Sequence, residues 1–364
     1  MFDLLLAPLL ASLRPHFALI KSRLVTLAVM MVGLANCRTV NLSHLASQFP
    51  GTAQHASSYR RLPRFFQHIR LDGATVARLV VRMLRQDRCR KLLALDRTNW
   101  KLGDRDVNVL VLALVTQRFR VPLLWTLLPH AGASSTEQRI RLMQRYLALF
   151  GVSSIEMLLA DHEFIGTEWM NFLCKNKIPF AIRLREDLRV RLEDGRTPSF
   201  RLLRRSRPRG IWTGWLEAME ATPENRLTFV MKRLGKDETL IVATNTGTPG
   251  RALRLYRQRW AIECLFADAK SRGLNIEDTH ITNPGKLDTL LAIVTLAITW
   301  ACRAATRIMG RRKLRRKAHG RQEKSWFRPG LDSLRRWVIH DPGVALAAWS
   351  DAIPKRPFKQ TKTC

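Results

Sequence analysis

The chain has 364 residues, 46% of them hydrophobic, which is enough to bury a substantial core and excludes a largely disordered protein. Its 62 lysines and arginines oppose 29 aspartates and glutamates, for a formal net charge of +33. A charge of this size predicts a polyanionic partner, either nucleic acid or an anionic lipid surface, whose binding weakens as salt increases. Charge alone does not choose between these two partners.

The pattern of apolar residues and cysteines favours a cytoplasmic protein with no membrane association. The longest apolar stretch, residues 290–302, falls short of the roughly 20 residues that a membrane span requires, so it predicts a buried helix. The first residues are apolar but carry Asp3 where a secretory signal needs positive charge. The six cysteines are not spaced as in zinc or redox motifs. We therefore expect a bacterial cytosolic protein, nucleoid-associated when bound to DNA.

Residues 1–85 are predicted to form an N-terminal helical DNA-binding domain. Two short helical patterns flank a proline-glycine turn at 50–51, an arrangement that resembles a helical DNA-binding module. Arg60, Arg61 and Arg64 follow this turn and are candidate DNA contacts. The alternative is a plain helical bundle on which these arginines form a solvated face.

Residues 86–185 are predicted to form the first part of an α/β core. Strand-like runs occur at KLLALD, VNVLVLALV, VPLLWTLL, IEMLLAD and PFAIRLR, and helices are predicted near 135–150 and 166–175. Strands that alternate with helices indicate a mixed sheet with helices on both faces. Catalytic residues are then expected at the ends of strands.

The rest of the chain divides into three predicted regions. Residues 186–245 contain four short strand patterns separated by turn residues, which indicates a small antiparallel β insertion. Residues 246–310 are predicted to complete the core, with one long helix over 249–272 that is ended by Gly273. Residues 311–364 form a basic C-terminal region, which is either a solvated tail or a segment covered by an anion.

Two aspartates end similar apolar runs: Asp96 follows LLAL and Asp161 follows MLLA. Adjacent strands would bring the two carboxylates together, and a divalent cation would remove the repulsion between them. The structural alternatives are a turn residue for Asp96 and a helix cap for Asp161. Taken singly, each alternative is as acceptable as catalysis.

The predicted helix over 249–272 carries Tyr256, Arg259, Glu263 and Lys270, which supports the catalytic interpretation. At about 100° per residue these four side chains lie within about 60° of one another, in a stripe roughly 21 Å long. An aromatic hydroxyl, a guanidinium, a carboxylate and an ammonium in one stripe suit a phosphate backbone and a metal ion. A surface helix with an ordinary Arg259–Glu263 ion pair is the alternative.

Three sequence blocks resemble those of a known family. They are LDRTNWKLG around Asp96, LLADHEFIGTEW around Asp161, and YRQRWAIECLFADAKSRGLNIEDTH around Glu263. They are similar to blocks in transposases of insertion sequence 4 type, which carry a DDE triad on an RNase H-like fold. The third block reproduces that family's Y-(2)-R-(3)-E-(6)-K signature without a gap. The resemblance covers approximately residues 15–335.

The resemblance implies roles for individual residues. Asp96, Asp161 and Glu263 would hold two Mg²⁺ ions per active site, with Mn²⁺ as a substitute. Tyr256, Arg259 and Lys270 would hold DNA near the cleaved transposon end, and Trp212 and Trp215 are candidates for an aromatic wedge that receives a flipped base. Most aromatic residues of small β domains lie in the core, so packing is the simpler interpretation of both tryptophans, and also of Trp100, Trp260 and Trp300.

One position departs from the family pattern, because His162 stands where related sequences carry arginine. Loss of a permanent cation there could weaken a phosphate contact. We interpret His162 as a tolerated substitution and not as a new general base, since a metal-activated water needs no histidine.

The expected function is cut-and-paste transposition through a hairpin intermediate, as the resemblance implies. The partners would be double-stranded DNA with inverted-repeat ends, target DNA, and a second copy of the chain in the DNA complex. Three alternatives remain open at this stage: a metal-dependent DNA nuclease without strand transfer, a catalytically inactive DNA-binding protein derived from a transposase, and a basic protein that binds RNA or a membrane surface.

Overall fold

The computed structural model describes residues 2–350 apart from 103–104, 208, 236–237, 311 and 313–324. Much of the basic C-terminal region therefore lies outside the described residues. In the described part the α-helices are α1 (Phe2–Leu13), α2 (Lys21–Cys37), α3 (Leu42–Ala46), α4 (His55–His68), α5 (Gly73–Met83), α6 (Thr136–Phe150), α7 (Thr167–Lys175), α8 (Phe200–Ser206), α9 (Pro249–Tyr256), α10 (Ala261–Ala269), α11 (Pro284–Met309), α12 (Phe327–His340) and α13 (Pro342–Trp349). The strands are β1 (Lys91–Leu102), β2 (Arg105–Val115), β3 (Arg120–Leu128), β4 (Ile155–Ala160), β5 (Phe180–Arg183), β6 (Val190–Leu192), β7 (Gly210–Leu216), β8 (Leu227–Arg233) and β9 (Thr239–Thr244).

These strands form one mixed sheet in the order β3-β2-β1-β4-β5-β9-β8-β7-β6. The first three strands pair antiparallel, whereas β4 runs parallel to β1 and β5 runs parallel to β4. Helices flank the sheet: α10 and α11 contact β3, α6 contacts β3, and α9 contacts β4 and β5. The mixed α/β fold of RNase H-like type that the sequence predicted is therefore confirmed, as is the helical character of the N-terminal region.

The antiparallel strands predicted within residues 186–245 are β6 to β9. They continue the same sheet, because β9 pairs antiparallel with β5 and so uses the backbone hydrogen-bonding groups at the edge of the parallel strands. Helix α8 lies within this segment and was not predicted. Ser199 caps it by accepting a hydrogen bond from the backbone N–H of Leu202.

Helix α11 is the central helix of the fold. It contacts β3, the N-terminal helices α2, α4 and α5, and the C-terminal helices α12 and α13. By length and composition it could cross a membrane, but 89% of its apolar window is buried inside the protein. The buried helix predicted at 290–302 is thus confirmed. Gly330 of α12 packs so closely on α11 that a Cβ atom there would lie 1.9 Å from the carbonyl oxygen of Ala301.

The prediction of one continuous helix over 249–272 is wrong. Helix α9 ends at Tyr256 and α10 begins at Ala261. The intervening turn is closed by short-range hydrogen bonds: the Arg259 N–H donates to the Tyr256 carbonyl at 2.9 Å, and the Ala261 N–H donates to the Gln258 carbonyl at 3.0 Å. Such bonds wind the chain more tightly than an α-helix does, so angles computed at a constant 100° per residue do not apply across this turn.

The end of α10 also differs from the prediction. The helix ends at Ala269, four residues before Gly273. Glycine is required at 273 for a reason other than a left-handed backbone, since a Cβ atom there would lie 1.9 Å from the carbonyl oxygen of Asp268. The chain can therefore turn back closely against the end of α10 only where no side chain is present.

Candidate active site

Strand pairing brings Asp96 and Asp161 side by side. Strands β1 and β4 are parallel and Leu95 pairs with Ala160, so each aspartate is the next residue after a paired position. Asp161 directly follows the last residue of β4, as the sequence predicted. Asp96 was predicted at a strand end but lies in the middle of β1, which continues to Leu102. The turn interpretation of Asp96 is therefore wrong.

Asp161 caps a short turn and not the helix near Gly166 that the cap interpretation named, because α7 has Gly166 at its N-cap position. Its Oδ1 accepts a hydrogen bond of 2.8 Å from the backbone N–H of His162, which begins a short 3₁₀ turn over 162–164. The His162 ring lies beside the same oxygen, with Nδ1 at 3.0 Å. Asp161 still belongs to the candidate site, because its other oxygen, Oδ2, contacts Arg259.

The guanidinium of Arg259 contacts all three predicted catalytic carboxylates. Its Nη1 lies 3.3 Å from Oδ2 of Asp96, and its Nη2 lies 3.5 Å from Oδ2 of Asp161 and 2.6 Å from Oε1 of Glu263. The turn between α9 and α10 places Arg259 beside the middle of β1 and the end of β4, and α10 adds Glu263 one helical turn later. Carboxylates from three distant segments thus converge on one cation.

Burial makes this cation important to the electrostatics of the site. The Arg259 side chain is 11% exposed and the Asp96 side chain 15% exposed. Burial raises the pKa of Asp96 to about 6, although the Arg97 backbone N–H and the Arg259 guanidinium favour its ionised form. Burial also opposes ionisation of Asp161, but Arg259 and the hydrogen bonds from His162 outweigh it and lower the pKa of that carboxyl. The two aspartates differ because Asp96 is more deeply buried and is also opposed by the charges of Glu163 and Glu263, whereas Asp161 receives the hydrogen bonds from His162.

The four signature residues do not form one stripe. Tyr256 is 7% exposed, and its hydroxyl hydrogen-bonds Arg259, while burial raises its pKa. Lys270 lies apart from the carboxylates: its Nζ donates to the carbonyl of Asn99 on β1 at 2.8 Å and lies 3.6 Å from Glu277. Three signature residues therefore meet at the aspartates, and the fourth lies along β1, three residues beyond Asp96.

The donor set can be tested against a divalent metal ion. Among the described residues, no group of three or more His, Cys, Asp or Glu side chains is arranged to hold a metal, because Arg259 stands between the carboxylates. The oxygen ligands that converge there are nevertheless those preferred by Mg²⁺. The residues therefore fit a divalent metal once the guanidinium moves aside.

A cleft of about 280 Å³ lies near Asp161 and was not anticipated from the sequence. His162, the residue after Asp161, lines it together with residues at and after the end of β5. It is lined by His162, Arg183, Leu184, Arg185, Glu186, Glu238 and Thr239. The basic residues at the end of PFAIRLR could have indicated this cleft, since the carboxyl ends of adjacent parallel strands meet at one edge of a sheet.

The remaining predicted site residues lie elsewhere. Arg60, Arg61 and Arg64 are exposed on α4, with the Arg61 guanidinium 4.8 Å from the ring centre of Phe49. Helices α3 and α4 flank the predicted proline-glycine turn.

Five tryptophans can be compared with their predicted packing roles. Trp212 is partly buried against the core, and the indole N–H of Trp215 donates to the carbonyl of Thr222 at 2.7 Å. Trp100 and Trp300 are buried as predicted. Trp260 was expected to pack inside but is 61% exposed, because it belongs to the turn that interrupts the predicted helix.

Comparison with known proteins bears on this arrangement. A family model described as the transposase DDE domain matches residues 87–300, a range that contains all three carboxylates. No curated protein matches the chain. The match spans more than half of the 364 residues, so the protein belongs to the family of transposases with a DDE domain.

Proposed function

We propose that the protein is a transposase of insertion sequence 4 type that cuts the ends of its element and joins them to target DNA. The observation that carries this proposal is the convergence of Asp96, Asp161 and Glu263 on one guanidinium. Three carboxylates in a chain of net charge +33 would repel one another without a cation, and DNA cleavage needs metal-binding oxygen ligands beside positive charge.

Asp96, Asp161 and Glu263 would hold the divalent ions, which we propose to be two Mg²⁺ per site with Mn²⁺ as a substitute. Bound there, the metal would activate a water or hydroxyl nucleophile and stabilise the leaving oxygen. The carboxylates can adopt this role only if Arg259 releases them. Their partial burial strengthens the attraction for any cation that replaces the guanidinium.

A DNA phosphate is the natural new partner for Arg259. A guanidinium donates two parallel hydrogen bonds to phosphate as readily as to carboxylate. Tyr256 already contacts Arg259, and Lys270 would extend the positive surface along β1. Arg183 and Arg185, in the cleft beside Asp161, would contact the backbone on the other side. Arrival of DNA would therefore free the carboxylates for metal.

More distant contacts complete the proposed DNA path. Arg60, Arg61 and Arg64 would bind the element end from an N-terminal domain over 1–85, on the basis of their exposure on α4. The strands within 186–245 would act as an insertion between the core segments 86–185 and 246–310, with Trp212 or Trp215 receiving a flipped base.

The proposed pathway is cut-and-paste. A water molecule nicks one strand at the element end, the freed 3′ hydroxyl attacks the opposite strand to form a hairpin, and a second water reopens it. The 3′ hydroxyl then attacks target DNA. Two copies of the chain would hold the two ends, and the protein would act in the bacterial cytoplasm on the nucleoid.

The test uses a DNA duplex that carries the element's own ends, with Mg²⁺ and a target plasmid. The native chain should yield free ends and joined products, and Asp96→Asn and Glu263→Gln should each lower cleavage by about 10³-fold or more, since one ligand of a reacting metal is lost. Glu156→Gln is the matched control, because Glu156 lies on β4 but pairs with Arg251 at 2.9 Å.

The products separate the alternatives. Equal cleavage by the native chain, Asp96→Asn and Glu263→Gln would contradict the proposal. Cleavage without joined products would indicate a nuclease, and absence of cleavage by the native chain on every end sequence would indicate an inactive DNA-binding descendant. Hairpin ends, detected by denaturing electrophoresis, would support the proposed intermediate.

A further inference from the structure

An ion pair connects two residues that closely follow the two aspartates in the chain. Nη2 of Arg97, the residue after Asp96, lies 3.2 Å from Oε2 of Glu163, two residues after Asp161. The two side chains are 20% and 28% exposed. The pair therefore bridges β1 and the 3₁₀ turn after β4, at the point where the paired backbone of these strands ends.

Each partner is also coupled to its aspartate through the backbone. The Arg97 N–H donates to Oδ1 of Asp96 at 2.8 Å. On the other side, the turn that carries Glu163 is closed by a hydrogen bond of 3.0 Å from the Phe164 N–H to the Asp161 carbonyl. A displacement of either charged side chain would therefore move the backbone that orients a carboxylate.

The pair is anchored on its arginine side. Nη1 of Arg97 lies 3.4 Å from Oδ1 of Asn108 on β2. Asn108 is 3% exposed, and its amide donates to the carbonyls of His130 and Gly132 at 3.1 and 2.8 Å. Arg97 is thus held by a buried side chain that is itself fixed by two backbone contacts.

Each charge depends on the other for its direct ion pair. Nε of Arg97 and Oε1 of Glu163 are buried and lack hydrogen-bond partners, so loss of one member would leave a partly buried charge without that contact, although the charge of Arg139 also acts on Glu163. Glu163 is also a fourth carboxylate close to the site, and its charge contributes to the raised pKa of Asp96. Pairing with Arg97 keeps Glu163 directed toward β1 while the other carboxylates face Arg259.

We propose that the Arg97–Glu163 pair is a positioning device that sets the separation of the Asp96 and Asp161 carboxylates and thereby the affinity of the site for divalent metal. This inference rests on the proposed function, in which the two aspartates hold metal. Residues that orient metal ligands without touching the metal typically change metal affinity or activity by about 10- to 100-fold.

The experiment measures Mn²⁺ binding and not turnover. Each variant is bound to a duplex that ends at the cleavage position, so that no bond remains to be cut, and free Mn²⁺ is followed by electron paramagnetic resonance. Glu163→Gln and Arg97→Gln should each weaken Mn²⁺ binding by about 10-fold or more. The loss of affinity in the double variant should be close to that of one single variant and well below the sum of the two, because both changes remove the same interaction.

Two further variants make the test specific. Glu156→Gln on β4 removes a different ion pair and should bind Mn²⁺ like the native chain. Glu163→Asp keeps the charge and should restore most of the affinity. Thermal unfolding of every variant identifies any that fail to fold. If Glu163→Gln does not fold, Arg97→Gln serves in its place.

The outcomes are distinguishable. If Asp96→Asn binds Mn²⁺ as the native chain does, the proposed metal site itself is wrong. If Asp96→Asn loses binding while folded Glu163→Gln and Arg97→Gln match Glu156→Gln, the positioning role is overturned and the proposed function stands. Weakened binding in both single variants, with recovery in Glu163→Asp, supports the positioning role.

Discussion

The two halves of the candidate site are held in different ways. The backbone that carries Asp96 and Asp161 is placed by the hydrogen-bonded register of β1 and β4, which cannot shift without disrupting the sheet. Glu263 lies on α10, after a turn that interrupts the helix, and reaches the aspartates through Arg259. The strand half is therefore held by backbone hydrogen bonds, whereas the helix half is held by side chains: α10 packs on β1, β2 and β3, and Glu263 contacts Arg259. This difference implies that Glu263 can adjust its position when Arg259 is released and the aspartates cannot.

The largest expected effect follows from changing carboxylate length in each half. Asp96→Glu should lower DNA cleavage by about 100-fold, since a misplacement of about 1 Å in a rigid site has that cost. Glu263→Asp should lower it by about 10-fold, because α10 can follow the shortened side chain. Single-turnover cleavage of labelled end duplexes measures both, and equal losses would show that the two halves are equally rigid.

The second effect concerns the cation that joins the halves. Arg259→Gln removes charge-assisted hydrogen bonds that metal must break to enter, each worth about 1.5–3 kcal/mol, so Mn²⁺ affinity of the DNA-free protein should rise by about 10- to 100-fold. DNA affinity should fall, since a phosphate contact is lost. Arg257→Gln, two residues away on the same turn, is the control. Unchanged or weaker Mn²⁺ binding in Arg259→Gln would mean that the guanidinium assists the metal site.

The smallest effect tests how the far end of α10 is anchored. Asp268 is 5% exposed; burial raises its pKa to about 6, despite Arg120 and a hydrogen bond from Ser325. Because the folded-state pKa exceeds the unfolded value, the protonated carboxyl stabilises the fold below about pH 4, and this contribution is lost as the pH rises through 6.

Asp268→Asn mimics the protonated form and should therefore stabilise the protein by about 1–2 kcal/mol at pH 8, with little difference from the native chain at pH 4. Denaturant unfolding of both chains at the two pH values measures this. A difference that is independent of pH, or destabilisation at pH 8, would show that the ionised carboxylate is needed to hold α10.

Local patterns in the sequence predicted the strand half of the site well. The apolar runs before Asp96 and Asp161 are those of neighbouring buried strands, and the sheet pairs them in register. For the helix half, the sequence identified the residues but did not predict the turn between α9 and α10. No proline or glycine marks the break in RQRW, and the turn coincides with the contact between Arg259 and three distant carboxylates. Exposure of Trp260 follows from the same long-range contact.

Two further features depended on the fold as a whole. The strands of 186–245 were predicted individually, but pairing of β9 with β5 joins residues about 60 apart in the chain and has no local signal. The Arg97–Glu163 pair likewise becomes visible only when β1 and β4 are adjacent. Sequence spacing therefore indicated which residues form the candidate site, and tertiary structure was needed to show how they are held.

The central position of α11 limits how this protein can be divided. The buried face of α2 includes Leu27, Met31 and Leu34, and α2 rests on α11, which is some 250 residues later in the chain. A fragment that ends at residue 85 would expose those side chains to water and would be prone to aggregate. Recognition experiments on the N-terminal helices therefore call for the intact chain, since these helices can complete their packing only after α11 has been synthesised.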